Sequence, residues 1–216
     1  MRLFLTGGGG VLGRSAIPLL RAEGHEVVAP ARTELDLFDP AAIASAMYGA
    51  DGILHLATRI PSSERMGDPE AWRENDRLRG ETSRLLVDAA LAGQTAVYVQ
   101  PTVTFVYPAE GLVDEATPVQ DVPVFLRSAL SAEAETARFA ATGRRGLVLR
   151  LGLLDGPGTG NDVPNPWFGA TLHVADAGRA LVAALAVRSG VYNVCRDGER
   201  VGNVRFSQVS GWRPTK

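Results

Sequence analysis

The stretch Arg2-Leu3-Phe4-Leu5-Thr6-Gly7-Gly8-Gly9-Gly10-Val11-Leu12-Gly13 decides the fold of this chain. Its apolar beginning predicts a β-strand, and the glycines at positions 7, 10 and 13 then follow with the spacing T-G-x-x-G-x-x-G. Glycine permits a tight turn, lets backbone N–H groups approach a phosphate, and lets the next helix pack close to the strand. An ordinary flexible turn is the alternative, but the position between the first strand and the first helix favours a site for a dinucleotide pyrophosphate.

Short apolar runs alternate with amphipathic helical patterns along most of the chain. Strands are predicted over Leu3–Leu5, Glu26–Ala29, Gly52–Leu56, Ala96–Gln100 and Gly146–Leu151. Helices are predicted over Val11–Glu23, Pro40–Tyr48, Glu70–Ala92 and Phe125–Ala141, and a long loop over Gly156–Gly169. Gly24 is a predicted helix C-cap and Asp39 a predicted N-cap. The alternation predicts an α/β fold with a doubly wound, mostly parallel sheet that helices cover on both faces.

The composition bounds the domain organisation and excludes several functions. The 216 residues predict one compact domain, with a dinucleotide-binding core over residues 1–155 and a reduced substrate-side segment over residues 156–216. The net charge of −2 and the lack of a basic stripe predict no nucleic-acid partner, with Arg77, Arg79 and Arg84 forming a solvated helix face. The sole lysine is Lys216, which excludes a phosphate-loop NTPase and Schiff-base chemistry.

Cysteine and histidine usage indicates a reducing compartment and no metal centre. Cys195 is the only cysteine, so it forms no internal disulfide and is predicted to pack as a small core residue. Three separated histidines lack the spacing of metal ligands, and no signal peptide, G-x-S-x-G elbow or membrane-spanning apolar run is visible. We therefore expect a cytoplasmic location and no membrane contact.

Motifs along nearly the whole chain occur in the order of a known family. They are Thr6–Gly13, Asp36–Asp39, Asp51–Ala57, Arg150–Gly158, His173–Asp176, Gly190–Val194 and Gly211–Pro214. Together they resemble the extended short-chain dehydrogenase/reductases, the NAD-dependent epimerase/dehydratase group. The resemblance implies a Rossmann-type sheet with a much reduced C-terminal substrate-binding portion. It also implies a small-molecule substrate and a homodimer formed through the helices that contain Leu85–Ala92 and Phe125–Ala141.

The resemblance also implies which residues contact the cofactor. They are Gly7, Gly10, Val11, Leu12 and Gly13 in the loop, Asp36 and Leu37 at the adenine, and Leu56, Ala57 and Thr58 beside the ribose. His55 belongs to the same strand motif, but a histidine in an apolar strand is predicted to be a satisfied core residue.

The helix predicted over Phe125–Ala141 departs from the family pattern. Redox members of the family carry a Tyr-x-x-x-Lys pair there, in which the tyrosine is the acid/base and the lysine lowers its pKa. When Ser128 and Glu133 set the register, Phe125 takes the place of the tyrosine and Ala129 that of the lysine. The usual serine or threonine partner falls nearest Val103. The family's acid/base set is therefore not carried over.

Four other residues are the candidate catalytic groups: Thr102, Tyr107, Arg127 and Arg59. Arginine does not lose its proton, so Arg127 and Arg59 would orient an anion or stabilise an oxyanion rather than act as an acid/base. A tyrosine without a neighbouring cation keeps a pKa of about 10, which makes Tyr107 a hydrogen-bond donor rather than a base. A structural or surface role is the alternative for each of the four.

The end of the second strand bears on the choice of cofactor. Sites for NAD usually place an acidic residue there, whereas this chain has Ala29-Pro30-Ala31-Arg32 and no acid before Glu34. Arg32 is predicted to pair with a 2′-phosphate, helped by Arg14. NADP is therefore favoured, with NAD as the alternative. Both arginines could equally be surface residues without a role in binding.

Two functions remain open at this stage. The first is an NAD(P)-dependent enzyme that reduces, epimerises or dehydrates a small molecule with a non-standard proton relay. The second is a non-redox protein on the same scaffold, either a cyclase-like or dehydratase-like catalyst or a nucleotide-binding sensor or scaffold. The segment between the G-P-G run and His173 is short, and its pocket-lining candidates are Asn161, Asn165, Trp167 and Phe168.

Overall fold

Six parallel strands form the central sheet of the computed structural model, which describes residues 1–165 and 169–216. They are β1 (Arg2–Thr6), β2 (Glu26–Val28), β3 (Gly52–His55), β4 (Val97–Val103), β5 (Arg145–Leu151) and β8 (Gly190–Val194). Their order across the sheet is β2-β1-β3-β4-β5-β8. Two short strands, β6 (Leu153–Asp155) and β7 (Thr171–His173), form a separate parallel pair.

Helices connect the strands and cover both faces of the sheet. They are α1 (Val11–Ala22), α2 (Pro40–Ala46), α3 (Pro69–Arg77), α4 (Ser83–Ala92), α5 (Arg127–Ala140), α6 (Val174–Ala184) and α7 (Val204–Ser210). A π-helical turn, Leu78–Thr82, joins α3 to α4 without a break. Single 3₁₀ turns occur at Ser63–Arg65, Thr104–Val106 and Val124–Leu126.

Two apolar clusters hold the helices on the sheet. On one face, residues of α1, α6 and α7 pack against inward residues of the strands, including Leu5, Val99 and Leu149. On the other face, α2, α4 and α5 pack against Phe4 and Tyr98. Burial on both faces explains why the strands are apolar throughout rather than alternating, and it confirms the predicted doubly wound parallel sheet.

Local capping explains where several helices begin and end. Asp39 Oδ1 accepts hydrogen bonds from the backbone N–H groups of Ala41 and Ala42, at 2.8 and 3.1 Å, so the predicted N-cap of α2 is confirmed. Gly24 follows α1 with φ +79° and donates its N–H to the carbonyl of Arg21, as predicted for a glycine that ends a helix.

Two predicted helices differ from the observed ones. The helix predicted over Glu70–Ala92 is interrupted by the π-helical turn Leu78–Thr82, which the nearly unbroken amphipathic pattern conceals. The helix predicted from Phe125 begins at Arg127, because Pro123 and the 3₁₀ turn Val124–Leu126 precede it. The predicted strands and helices also leave β6, β7, β8, α6 and α7 unassigned, and the three-residue strands β6 and β7 are too short to show a periodicity.

The topology places a crevice at the carboxyl ends of β1 and β3. The chain passes from β1 to β2 on one side and then to β3 on the other, and ligands of doubly wound sheets bind at such a switch point. Residues 156–216 contribute α6 and β8 to this same layered structure. None of the described helices is both long and apolar enough to cross a membrane.

Candidate functional site

The glycine loop lies at the switch point and its glycines have different tasks. Gly7 has φ +72°, and a Cβ there would lie 2.7 Å from the backbone nitrogen of Ala57. A Cβ at Gly13 would lie 2.5 Å from the carbonyl oxygens of Gly7 and Gly8. Both positions therefore require glycine for the backbone to pack this closely.

Gly10 differs because a Cβ there would approach only the carbonyl oxygen of Gly7, at 3.1 Å. It is the N-cap of α1, and no side chain caps the backbone N–H groups of the first turn, which includes Val11 and Leu12. A helix end with uncapped N–H groups and an open glycine surface fits a bound pyrophosphate.

A chain of hydrogen bonds fixes the end of β3 beside this loop. The ring of His55 contacts Thr6 Oγ1 at 2.6 Å through Nδ1 and the carbonyl of Leu78 at 3.0 Å through Nε2. The backbone N–H of Ala57 donates to the same Thr6 hydroxyl at 3.2 Å. Burial lowers the pKa of His55 to about 4, so the ring is neutral and its partners assign the proton to Nε2. The prediction of a satisfied core histidine is confirmed.

The remaining predicted cofactor residues follow the carboxyl ends of β2 and β3. Leu56 is buried, whereas Thr58 is exposed in the segment that leaves β3. Asp36 is exposed and accepts the backbone N–H of Phe38 at 2.9 Å, and the carbonyl of Leu37 accepts the Thr82 hydroxyl. These contacts order the loop after β2 at the same edge of the sheet.

Arg32 and Arg59 share one carboxylate. Arg32 Nη2 lies 2.9 Å from Glu74 Oε1, and Arg59 Nε lies 3.8 Å from Glu74 Oε2. The Arg32 side chain is 74% exposed, so its pair with Glu74 is weak and leaves the guanidinium accessible to a phosphate. Arg59, one of the candidate catalytic residues, thus shares a carboxylate with Arg32, a candidate cofactor residue.

Thr102 and Tyr107 belong to a buried polar network on the α5 side of the sheet. Thr102, Arg150 and Asn193 stand in one register row across β4, β5 and β8. Arg150 forms a two-pronged ion pair with Glu133 of α5, with Nε–Oε1 2.9 Å and Nη2–Oε2 2.6 Å. Thr102 Oγ1 donates to the same Glu133 carboxylate at 2.8 Å. The Thr102 hydroxyl therefore donates its proton to a hydrogen bond within the protein, with Glu133 as the acceptor.

Tyr107 closes the network at its other end. Its hydroxyl donates to Asn193 Oδ1 at 3.0 Å, and the guanidinium of Arg150 stands 4.9 Å from the centre of its ring. The expectation of no neighbouring cation is therefore wrong. Burial nevertheless raises the pKa of Tyr107, and the nearby Arg150 opposes this only in part. Tyr107 keeps its proton at neutral pH.

Apolar packing surrounds the start of α5. The ring of Phe125 lies 5.2 Å from the ring of Trp72, and Ala129 is fully buried in a cluster with Val106 and Leu126. Arg127 is exposed, and no hydrogen bond or ion pair joins it to the described part of the chain. Among the described residues, no hydrogen bond or ion pair links all four candidate catalytic residues: Thr102 and Tyr107 share a network, Arg59 and Arg32 share Glu74, and Arg127 has no such partner.

A cavity of about 590 Å³ opens beside Tyr107. Its described lining is Phe105, Val106, Tyr107, Pro108, Ala109, Gln120, Asp121, Pro123 and Arg200. Arg200 Nη1 donates to the carbonyl of Pro108 at 2.6 Å, and its guanidinium lies where a Cβ on Gly169 would have to go. This cavity combines apolar side chains with the Arg200 guanidinium, the Asp121 carboxylate and the Gln120 amide.

The residues predicted to line a pocket in the short C-terminal segment are not found in the lining of this cavity where the structure describes them. Asn161 Nδ2 donates to the carbonyl of Leu154 at 3.0 Å and so holds its own loop. Neither Asn161 nor Asn165 belongs to the described lining of the 590 Å³ cavity. Trp167 and Phe168 lie outside the residues that the structure describes.

Several residues of the site are not predicted to be functional from the sequence. Asn193, Glu74 and Arg200 have no local signal, Glu133 serves only to set the register of the helix, and Arg150 stands out as a charge within an apolar strand. The prediction of a solvated face for Arg79 is wrong: this side chain is only 4% exposed, unlike Arg77 and Arg84, which are exposed and form ion pairs along the helix.

The described residues show neither a reactive thiol nor a metal centre. Cys195 is buried, as predicted, and its thiol donates to the carbonyl of Val201. Burial raises the pKa of this thiol, so it is not a thiolate nucleophile. Within residues 1–165 and 169–216, no group of three or more His, Cys, Asp or Glu side chains is arranged to hold a metal ion.

Comparisons with known proteins find a related sequence and solved structures of the same fold. A 3-diazoavenalumate denitrifying reductase from Streptomyces sp is 33% identical over 220 aligned residues, which cover 86% of this chain and 72% of that protein. The UDP-glucose-4-epimerase from Stenotrophomonas maltophila, solved with NAD and formylated UDP-arabinopyranose, matches with a TM-score of 0.81 at 19% identity, over 100% of this chain and 94% of that one. RMD from Pseudomonas aeruginosa, solved with NADPH, matches with a TM-score of 0.79 at 20% identity, over 99% and 93%.

The solved structures share the fold of this chain, and the sequence match goes further. The model of the NAD dependent epimerase/dehydratase family covers residues 3–168, which include the glycine loop, the β3 motif and the whole G-P-G run. On that match, the chain belongs to the NAD dependent epimerase/dehydratase family.

Proposed function

We propose that this protein is an NAD(P)H-dependent reductase that removes dinitrogen from a small carboxylate carrying a diazonium group. The observation that carries the proposal is that no tyrosine or lysine stands where the family's acid/base pair would be, and the hydroxyls without a partner nearby are those of Ser128 and Thr104, which are weak acids. Phe125 and Ala129 are packed among apolar side chains there. The Thr102 hydroxyl donates a hydrogen bond to Glu133, and the Tyr107 hydroxyl donates one to Asn193. Reduction of a carbonyl group leaves an oxyanion that needs a proton, and these residues are poorly suited to supply it.

Loss of dinitrogen avoids this requirement. In a diazonium cation R–N₂⁺, the arriving hydride forms a new C–H bond, and N₂ leaves with the electron pair of the broken C–N bond. The products are R–H and N₂, so charge and electrons balance without any proton from the protein. The name of the Streptomyces relative, a denitrifying reductase of a diazo compound, supports this class of reaction.

The residues that would hold the cofactor are those of the switch point. The uncapped N-terminus of α1 and Gly10 suit the pyrophosphate, Asp36 and Leu37 suit the adenosine, and Ala57 bounds the opposite wall. A bound dihydronicotinamide supplies the hydride. The protein's own task is to hold this group against the substrate and to exclude water.

The 590 Å³ cavity supports a small substrate with an apolar body and a carboxylate. Val106, Pro108 and Pro123 offer an apolar wall, and the guanidinium of Arg200 suits a carboxylate bound on its side of the cavity, away from the Asp121 carboxylate in the same lining. In this arrangement Arg200 fixes the orientation of the substrate while Tyr107 forms part of the wall.

Arg32 is expected to select NADP(H) over NAD(H). We expect Arg32→Ala to weaken NADPH binding by about 1.5–3 kcal/mol, the scale of a charge-assisted hydrogen bond, because the 2′-phosphate would lose its cation. NADH binding should change little. Calorimetric titration of both cofactors checks this, with Arg73→Ala as the matched control, since Arg73 is an exposed arginine that pairs with Glu70 on the same helix as Glu74. If Arg32→Ala lowered the affinity for NADPH and NADH equally, Arg32 would not be the residue that binds the 2′-phosphate.

A matched pair of substrates tests the proposed reaction. We expect 4-carboxybenzenediazonium to be converted to benzoate with one NADPH oxidised per N₂ released. The corresponding aldehyde, 4-carboxybenzaldehyde, should react at least about 100-fold more slowly, the usual contribution of a general acid. NADPH absorbance, gas release and transfer of deuterium from C4-labelled NADPH to the benzoate ring provide the measurements.

The controls separate enzyme chemistry from spontaneous reduction. Gly10→Val, which should not bind the cofactor, reports the background rate, and Gly67→Ala reports a glycine substitution on open surface. Aldehyde reduction as fast as diazonium reduction would contradict the proposal. Binding of NADPH without any transfer to either compound would favour the non-redox alternative.

A further inference from the structure

Two buried side chains at the end of α3 have donors without partners. Arg79 is 4% exposed, and its Nη1 is buried with no hydrogen-bond partner; nor does any ion pair join its guanidinium to the described residues. Asn75 is fully buried, and its Nδ2 also lacks a partner. Because the two residues are four apart, they lie on one face of the helix. Native proteins rarely leave buried donors unpaired, and a buried cation without a counter-ion is especially costly.

Contacts on either side locate this face over the carboxyl ends of β3 and β4. Asn75 Oδ1 accepts the backbone N–H of Arg59 at 3.1 Å, just beyond β3. One turn past Arg79, the Ser83 hydroxyl donates to Gln100 of β4 at 3.3 Å. Arg79 therefore lies between the ends of these two strands. Thr104, directly after β4, is also fully buried with an unpartnered hydroxyl.

The backbone at Arg79 is itself unusual. Arg79 belongs to the π-helical turn Leu78–Thr82. The carbonyl of Leu78, in the same turn, accepts a hydrogen bond from Nε2 of His55. Such turns are rare and occur frequently at functional sites. The charged and titratable groups near Arg79 are the neutral His55 and the Asp76 carboxylate, whose Oδ1 also lacks a hydrogen-bond partner. No ion pair forms between Arg79 and Asp76.

If a dinucleotide binds across the switch point, its nicotinamide nucleotide half would come close to Arg79 and Asn75. Its pyrophosphate lies at the loop after β1, and its adenosine ribose lies at the end of β2. The nicotinamide nucleotide must then extend over β3 and β4, where the unpaired donors stand. Ribose hydroxyls and phosphate oxygens are the acceptors that these donors lack.

We propose that Arg79, together with Asn75, binds the oxygen atoms of the nicotinamide nucleotide half of the cofactor. This inference rests on the cofactor named under the proposed function, but not on the reaction. It makes Arg79 a specificity-determining binding residue that costs stability in the free protein and recovers it when the cofactor binds.

The test uses the two halves of the cofactor as separate probes. We expect Arg79→Met to weaken binding of NADPH and of reduced nicotinamide mononucleotide about 10–100-fold, the range for a charge-assisted hydrogen bond. Binding of 2′,5′-ADP should not change. The melting temperature of the free protein should stay the same or rise, because an unpaired buried cation has been removed. Arg79→Lys should recover part of the affinity, and Arg84→Met, an exposed arginine on α4, is the matched control.

A second variant guards against misfolding of the first. Asn75→Asp keeps the acceptor for the Arg59 N–H and gives Arg79 a carboxylate partner, so it should stabilise the free protein and weaken mononucleotide binding. Unchanged mononucleotide affinity in both variants would overturn the inference, as would equal loss of both probes or a lower melting temperature in both variants. Failure of the wild-type protein to bind NADPH would instead refute the proposed function.

Discussion

Replacing Gly10 by valine is expected to weaken NADPH binding by about 100-fold or more while the domain remains folded. The Cβ at this position meets only the Gly7 carbonyl oxygen, at 3.1 Å, so the backbone can keep its conformation. The branched side chain would stand over the uncapped N–H groups of α1 and displace the pyrophosphate from them. Loss of two charge-assisted hydrogen bonds accounts for a change of this size. Calorimetry gives the affinity and circular dichroism gives the fold.

Two other glycines make this result interpretable. Gly67→Ala adds a Cβ in open space and should leave both affinity and melting temperature unchanged. Gly13→Val should destabilise the domain itself, because its Cβ would lie 2.5 Å from two carbonyl oxygens of the loop. Wild-type affinity in a folded Gly10→Val protein would show that this loop does not hold the pyrophosphate.

The fold was accessible from the sequence because its signals are local. The glycine loop, the cap at Asp39 and the glycine after α1 each act over a few residues, and the structure confirms all three. The strands were found because burial on both faces makes them apolar throughout. The π-helical turn Leu78–Thr82 was missed because one wider turn leaves the amphipathic pattern almost unchanged.

The site was accessible only where backbone geometry determines it. Positions at strand ends could be assigned from the order of the elements, and Thr6, His55 and Ala57 indeed meet the glycine loop. Side-chain pairing across distant segments left no such signal. Glu133 sets the environment of Thr102 from another element, and Glu74 brings Arg59 to Arg32.

Arg79 shows why charge alone misleads. Arg77, Arg79 and Arg84 look alike as arginines on one helical pattern, and two of them are exposed as expected. Helix phase and the π-helical turn bring Arg79 to the sheet side, where it is buried. The sequence pattern of charges cannot distinguish an exposed arginine from a buried arginine whose hydrogen-bond partner would be a ligand.

Removing Arg150 should cause the largest loss of stability among these substitutions. Its ion pair with Glu133 is nearly buried, with side-chain exposures of 8% and 11%, and it has two short contacts. Arg150→Met would leave the Glu133 carboxylate without its cation and should lower the free energy of unfolding by about 3–5 kcal/mol. Urea denaturation at pH 7 measures this loss.

The cost arises from the uncompensated carboxylate, and a double variant tests that explanation. Glu133→Gln added to Arg150→Met should recover much of the lost stability, since an amide is easier to bury than a charge and its oxygen can still accept the Thr102 hydroxyl. Arg138→Met is the matched control: it removes an exposed arginine that pairs with Asp88 and Glu135 on the outside of α5, where little stability is at stake. If Arg150→Met cost no more than Arg138→Met, the buried Arg150–Glu133 pair would not stabilise the contact between β5 and α5.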